Sequence, residues 1–361
     1  MLARQRNIRL ANGTEIQLPL LVPAFSSKGF KLIGRRNGID SHYSEVAYAL
    51  EDFGRYPALS VLISAYDLYF HHFDAPDLHH RHVETYLRNS EVVFLDSGGY
   101  ELTTDFDSTE PRIYQQLLKQ GFEEVQYRQV LNELSQFAEP LPLVIANFDH
   151  AGKNRTLEEQ IEIARHIFED FRPCMSDFLI KPWTRTGDIV KTSELSDEDF
   201  ASLRGFDIIG ITEKELGRDL FERLKRIARL RAGLNEAGII APIHVWGGLD
   251  PLITPLFFFA GAEIFDGISW LRYSFKDGVA INRECHALLS PELGVSTPRN
   301  ANHAHASLEN LSALRNISEA LTEWLLLEGE SFEMFPDRVR ESLRKAYSKM
   351  VSQIDVLRRR T

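Results

Sequence analysis

Cysteine is nearly absent, with Cys174 and Cys285 the two in 361 residues. Two thiols cannot make a disulfide framework or a CxxC zinc ribbon by themselves, so any metal site must lean on histidine. Long apolar runs are missing too. No stretch reaches the roughly 18 residues needed to span a bilayer, and the opening MLARQRNIRLANGTE lacks the apolar block of a secretory signal. A cytoplasmic protein with no membrane partner is expected. An excess of positive charge is also absent: 41 Lys and Arg stand against 52 Asp and Glu, a formal charge of −11. That balance argues against a nonspecific nucleic-acid binder, whose phosphate contacts come from clustered Lys and Arg. No GxGxxG follows an early strand, which disfavours a doubly wound dinucleotide fold. Neither a short internal repeat nor a low-complexity segment occurs.

What is present is the composition of a globular protein with a sizeable core, 43% hydrophobic and 26% charged. The distribution of charge says more than its sum. From Arg338 to Thr361 eight basic residues face Glu341 and Asp355, a local +6, and Arg218 to Arg231 holds six basic residues against Asp219 and Glu222. Each stretch reads as a solvated helix face or as a surface for phosphate.

Eight short apolar or β-branched runs recur along the chain: Leu18–Val22, Leu59–Ile63, Val92–Leu95, Leu143–Ala146, Phe178–Ile180, Asp207–Ile211, Ile239–Val245 and Ile264–Ile268. Segments of helical spacing lie between them, among them Ile113–Lys119, Leu157–Phe171, Asp219–Ala232 and Pro251–Ala260. Eight alternations predict an α/β protein with a (β/α)₈ TIM barrel over residues 1–306. A C-terminal helical extension over 307–361 is expected to pack on it, built from helices at Ser307–Leu327 and Asp337–Arg358.

In such a barrel, chemistry gathers at the C-terminal ends of the strands. The third run ends in Asp96-Ser97-Gly98-Gly99-Tyr100, the fourth in Asn147-Phe148-Asp149-His150 and the fifth in Lys181-Pro182. The sixth ends in Thr212-Glu213-Lys214, the seventh in Trp246-Gly247-Gly248, and the eighth carries Asp266. One Asp after a strand is ordinarily a helix cap. Three of them, from three strands and beside glycine-rich turns, suit double displacement at an anomeric carbon, with one carboxylate as nucleophile and another moving a proton. Ser97-Gly98-Gly99 exposes backbone N–H groups to a flat ligand, and a nucleobase or a sugar fits equally.

Gly13-Thr14-Glu15 to Pro23, Asp96 to Tyr100, Phe148-Asp149, the segment opening at Phe206-Asp207, and the spacing of Gly247, Pro251, Gly261, Phe265-Asp266 and Arg272 carry a further signal. Through most of its length the chain resembles the tRNA-guanine transglycosylase superfamily, which exchanges guanine for a 7-deazaguanine base in nucleic acid. The resemblance implies that Asp266 attacks C1′ of the sugar, that Asp96 gives and takes the proton of the leaving and entering base, and that Asp149 reads the guanine edge. It places Ser97, Gly98, Gly99, Lys181, Thr212 and Gly247 around the base. Arg272, with Arg340, Arg344 and Lys345 of the basic C-terminal helix, is expected on the nucleic-acid backbone.

The departures from that pattern shape the expectation. Glu101 stands where the family usually has glutamine, Lys181-Pro182 where another glutamine helps to read the base, Thr212-Glu213 in place of a Gly-Gly pair, and Gly248-Leu249 in an altered Gly-x-Gly turn. The family's tRNA enzymes hold a structural zinc through three cysteines and a histidine. Here Cys285 and the aligned His305 are the metal candidates, with His286 and His303 near them in sequence, and no cofactor is expected in the chemistry. A second group, His71, His72, His79, His80 and His82, reads as a surface loop. Because the zinc-bearing segment that helps form the docking surface in the tRNA enzymes is altered, the expected polymer is DNA rather than tRNA. Its target strand would be single or opened by helper proteins, and the incoming base a preQ0-like 7-deazaguanine. The alternatives are a tRNA enzyme, a non-catalytic partner subunit, and a barrel glycosidase acting on a small sugar or nucleoside.

Overall fold

The computed structural model describes residues 2–4, 6–10, 12–34, 42–54, 60–75, 83–102, 121–136, 141–148, 155–183 and 188–358. Eight parallel strands form a closed barrel, numbered here in chain order: β1 (Leu20–Phe25), β2 (Val61–Ser64), β3 (Val93–Asp96), β4 (Leu143–Ala146), β5 (Met175–Ile180), β6 (Ile208–Thr212), β7 (Ile243–Trp246) and β8 (Ile264–Gly267). Each pairs with its neighbours in sequence, and β8 closes on β1 with Asp266 opposite Val22 and Gly267 opposite Pro23. Each of the eight apolar runs overlaps one strand of this (β/α)₈ barrel. The starting residue of the second run, Leu59, and the whole proposed helix Ile113–Lys119 lie outside the described residues.

The runs are continuous because parallel strands are covered on both faces. Alternate side chains turn inward, and Val22, Ala24, Leu62, Phe94, Val144, Ala146, Met175, Leu179, Ile208, Trp246 and Ile264 fill the barrel. The hairpin Arg6–Arg9/Glu15–Leu18, which leads directly into β1, adds Ile8, Leu10, Ile16 and Leu18 to that cluster and plugs its N-terminal end. Outward-facing side chains meet helices such as Leu157–Asp170, which buries Leu157, Ile161, Ala164 and Phe168 on one stripe and is started by a Thr156/Glu159 capping box.

The C-terminal layer departs from expectation at its start. The first long helix runs Arg299–Leu326, so residues 306 and 307 both fall within it. Its first half buries Asn302, Ala306 and Asn310 instead of large apolar residues, which is why hydrophobic spacing does not reveal it. Asn310 holds it in place by accepting from the Phe275 amide (2.6 Å) and donating to the carbonyls of Trp270 (2.6 Å) and Tyr273 (2.7 Å). The last helix spans Asp337–Gln353, breaks at Ile354, and resumes over Asp355–Arg358. Phe259, at the end of the barrel helix Thr254–Phe259, packs with Trp324 (ring centroids 4.2 Å apart), Phe332, Phe335 and Tyr347, fixing this layer to the barrel. Among the described residues, no helix is long and apolar enough to cross a membrane.

Candidate active site

Asp266 lies near the C-terminal end of β8 with 5% of its surface exposed. Its Oδ1 accepts from the Gly247 amide at 3.0 Å and lies 3.1 Å from Nε2 of His244. Gly247 adopts φ +76° at the turn leaving β7, a conformation that favours glycine and aims its N–H back across the rim. No hydrogen bond among the described residues engages Oδ2 of Asp266.

His244 continues the chain inward. Its Nδ1 is 2.6 Å from Oδ2 of Asp177 on β5, and neither side chain has any exposed surface. An imidazole with a carboxylate at each nitrogen needs a proton in each gap, so the three groups together hold two protons and one net negative charge. Burial opposes the charge on the ring, but the Asp177 carboxylate and the hydrogen bonds to Asp177 and Asp266 outweigh it and push His244 up to about 9. Burial raises Asp177, with the imidazolium working against that rise. The ring lies beside the indole of Trp246, with centroids 4.5 Å apart, and meets the edge of Phe94 at 5.3 Å. Gly210 on β6 leaves room for this. A Cβ there would stand 2.7 Å from Asp177 Oδ1 and 2.6 Å from Trp246 Nε1.

On the opposite arc of the rim, β3 ends in Asp96, which is buried and in register with Ser64 of β2. Ser97 is wholly buried, and Gly98 takes φ +87° where a Cβ would come within 2.9 Å of the Tyr66 Cβ. Gly99 opens a single helical turn, Gly99–Leu102. Glu101 of that turn accepts the Ser26 hydroxyl, and burial together with the nearby Asp67 carboxylate pushes its carboxyl up to about 7. Asp67 is buried, accepting from the Ser27 amide at 2.7 Å and pairing with His72 Nδ1 at 2.8 Å. His72 is therefore an interior residue, a correction to the surface-loop expectation, whereas His71 is exposed and meets Asp74. Lys28 donates to the Tyr100 carbonyl at 2.8 Å with its ammonium 4.2 Å from that ring's centroid, and Arg272 donates to the Lys28 carbonyl and the Tyr100 hydroxyl.

The structure thus brings Asp96, Ser97, Gly98, Gly99, Gly247, Asp266 and Arg272 to the strand-end side of the barrel. Thr212 closes β6 and directly precedes the turn Glu213–Leu216, while the Lys181 ammonium is paired with Glu215 at 2.7 Å. Asp149 lies outside the described residues, as do His79, His80 and His82. Arg340, Arg344 and Lys345 sit in the outer layer, on the helix Asp337–Gln353. Arg340 pairs with Glu333 and Asp337, and the other two with Glu341. In the second basic stretch Arg223 pairs with Glu213, Lys225 and Arg226 with Glu222, and Arg231 is fully buried against Glu263 at 2.9 Å, which removes it from any phosphate surface.

Cys285 is exposed, and its sulfur is not part of the one cluster of donors among the described residues, His286, His305 and Glu309. His286 Nε2 and His305 Nδ1 face each other at 2.8 Å, while Ser274 holds the far nitrogen of His286 and Glu292 that of His305. Two imidazoles and a carboxylate with such outer partners fit zinc chemically. For an ion to enter, the Lys276 ammonium, 2.6 Å from Glu309, would have to move aside.

Sequence reasoning passed over Asp177, His244, Gly210, Lys28 and Asp67. The available signal was a His and an Asp at inward-facing positions of otherwise apolar strands. No protein-family model matches this chain, and no curated protein is found similar to it.

Proposed function

We propose that this protein is a nucleic-acid guanine transglycosylase, a glycosyltransferase that replaces guanine in DNA with a 7-deazaguanine base through a covalent ester on Asp266. The observation that carries the reading is the state of Asp266: a buried carboxylate with one oxygen met by two donors and the other unengaged, on the same rim as a second buried carboxylate, Asp96. Such a pair serves double displacement.

In the first half-reaction Asp266 Oδ2 attacks C1′, the C1′–N9 bond breaks with its electron pair going to the base, and Asp96 delivers a proton to the departing guanine. In the second, N9 of the 7-deazaguanine attacks C1′, its proton passes to Asp96, and the C1′–Oδ2 bond returns its electrons to Asp266. The target nucleotide has to leave its stack for C1′ to be reached. The resemblance places a flat base beside Asp96, next to the left-handed Gly98 and the buried Ser97. Asp149, Lys181, Thr212 and Gly247 take their base-reading roles from the family resemblance alone. The Gly247 amide is already committed to Asp266, so Gly247 would act on the nucleophile as well.

Incubation with labelled 7-deazaguanine and either DNA or total tRNA tests this reading. Label in DNA, with a protein–DNA adduct on a denaturing gel that Asp266→Asn lacks, is the expected result. Label in tRNA alone would reassign the polymer. Free guanine released without incorporation would replace the transglycosylase with a glycosidase.

A further inference from the structure

We infer that Asp177 and His244 form a positioning pair that orients Asp266 as the nucleophile and receives its charge again when the glycosyl ester breaks; this rests on the transglycosylase reading of Asp266. The arrangement is directional. Both donors to Asp266, the Gly247 amide and His244 Nε2, meet the same oxygen, Oδ1. That leaves Oδ2 as the attacking atom and fixes the plane of the carboxylate. In the ester, Oδ1 is the carbonyl oxygen. As the C1′–Oδ2 bond breaks, negative charge spreads back onto Oδ1, where the two donors already stand, an arrangement that costs no reorganisation at the moment of reaction.

Asp177 matters through the proton count. A neutral imidazole carries one N–H, and the shorter contact, 2.6 Å to Asp177 against 3.1 Å to Asp266, would claim it. Asp266 would then face a ring lone pair. With both carboxylates ionised, only the doubly protonated ring donates to both at once, and the Asp177 charge, 2.6 Å away and without exposed surface, holds it in that form. The charged groups facing the ring are Asp177 from β5 and Asp266 from β8; the other faces are the Phe94 ring from β3 and the indole of Trp246 on the same strand. Loss of the ring proton therefore switches off the donor to the nucleophile, and exchange should fall on the alkaline side.

The test joins nitrogen-15 NMR of labelled histidine in the full-length protein with the pH dependence of exchange by wild type and Asp177→Asn. In the wild type His244 should stay protonated through pH 8, and the alkaline loss of kcat should follow its titration. Without the Asp177 charge both should move at least one pH unit toward neutrality. A ring returned to near 7 is about one-tenth protonated at pH 8, so kcat there should fall about tenfold, with KM for the free base nearly unchanged. A wild-type His244 titrating near 6.5, its ordinary value, overturns the inference whatever the activity. So do alkaline limbs that coincide in the two proteins, an outcome that leaves the transglycosylase reading standing. Absence of exchange by the wild type on both DNA and tRNA overturns that reading itself, and the failure is then seen before any variant is compared.

Discussion

Gly210→Ala adds one methyl group to β6 and tests whether the polar centre of the barrel is built as described. The new Cβ would lie 2.6 Å from Trp246 Nε1 and 2.7 Å from Asp177 Oδ1, several tenths of an ångström inside ordinary contact. Neither neighbour is the loose end of a flexible chain. Trp246 packs against His244, and Asp177 is tied to the same ring at 2.6 Å. Overpacking of this kind costs about 1–3 kcal/mol. Gly210 does not have a positive φ, so alanine also recovers about 0.4–1 kcal/mol by restricting the unfolded chain. A net loss of about 1–2 kcal/mol is expected, read as a lower urea midpoint with an unchanged slope. The same displacement should loosen the Asp177–His244 contact and shift the His244 resonance in the NMR experiment. An alanine variant as stable as wild type, with that resonance in place, would refute the packing argument.

Three further outcomes follow from the geometry. Asp96→Asn should slow single-turnover base exchange by roughly 10²–10⁴-fold, the usual contribution of a positioned acid–base group, while adduct formation with Asp266 is slowed and not abolished; wild-type rates would remove Asp96 from the chemistry. Glu263→Ala strips the buried Arg231 of its 2.9 Å partner and the Ile243 amide of its acceptor, and should cost about 3–5 kcal/mol in urea unfolding, whereas Arg231→Met/Glu263→Leu should restore most of it. Glu101 is raised from 4.5 to about 7, so the folded state favours its neutral form: that contribution to stability is present below pH 4.5 and is lost as pH climbs through 7. Glu101→Gln should accordingly gain on wild type between pH 5 and pH 8, and urea midpoints that stay parallel over that range would count against the burial of Glu101.

Much of the barrel was legible because its signal is local. A strand covered on both faces is written as a short apolar run, and β4 occupies Leu143–Ala146, the residues read as a strand from the sequence. The same logic put Asp96 at a strand end, where polarity returns after the run, while Asp266 stood out as the one carboxylate inside the last run. The helix at Arg299–Leu326 was half hidden for the converse reason, since Asn302 and Asn310 are buried in its core-facing stripe and read as surface residues. The histidines were weighed by number and spacing, which does not separate His72, bonded inside to Asp67, from its exposed neighbour His71.

By itself the sequence determined the number of barrel strands, the αβ alternation, and the two carboxylates offered at the rim, because each depends on a few neighbouring residues. Only the tertiary structure decided what those carboxylates touch. Asp177 is 67 residues from His244 and Asp266 is 22, and the three meet because barrel closure and strand register turn β5, β7 and β8 toward one interior. Gly210 has no meaning in its own run, Ile208–Thr212, until β6 is seen lying between β5 and β7. Apolar periodicity fixes which face of a strand is buried. It carries no information about which buried polar group on a distant strand will share a proton with it.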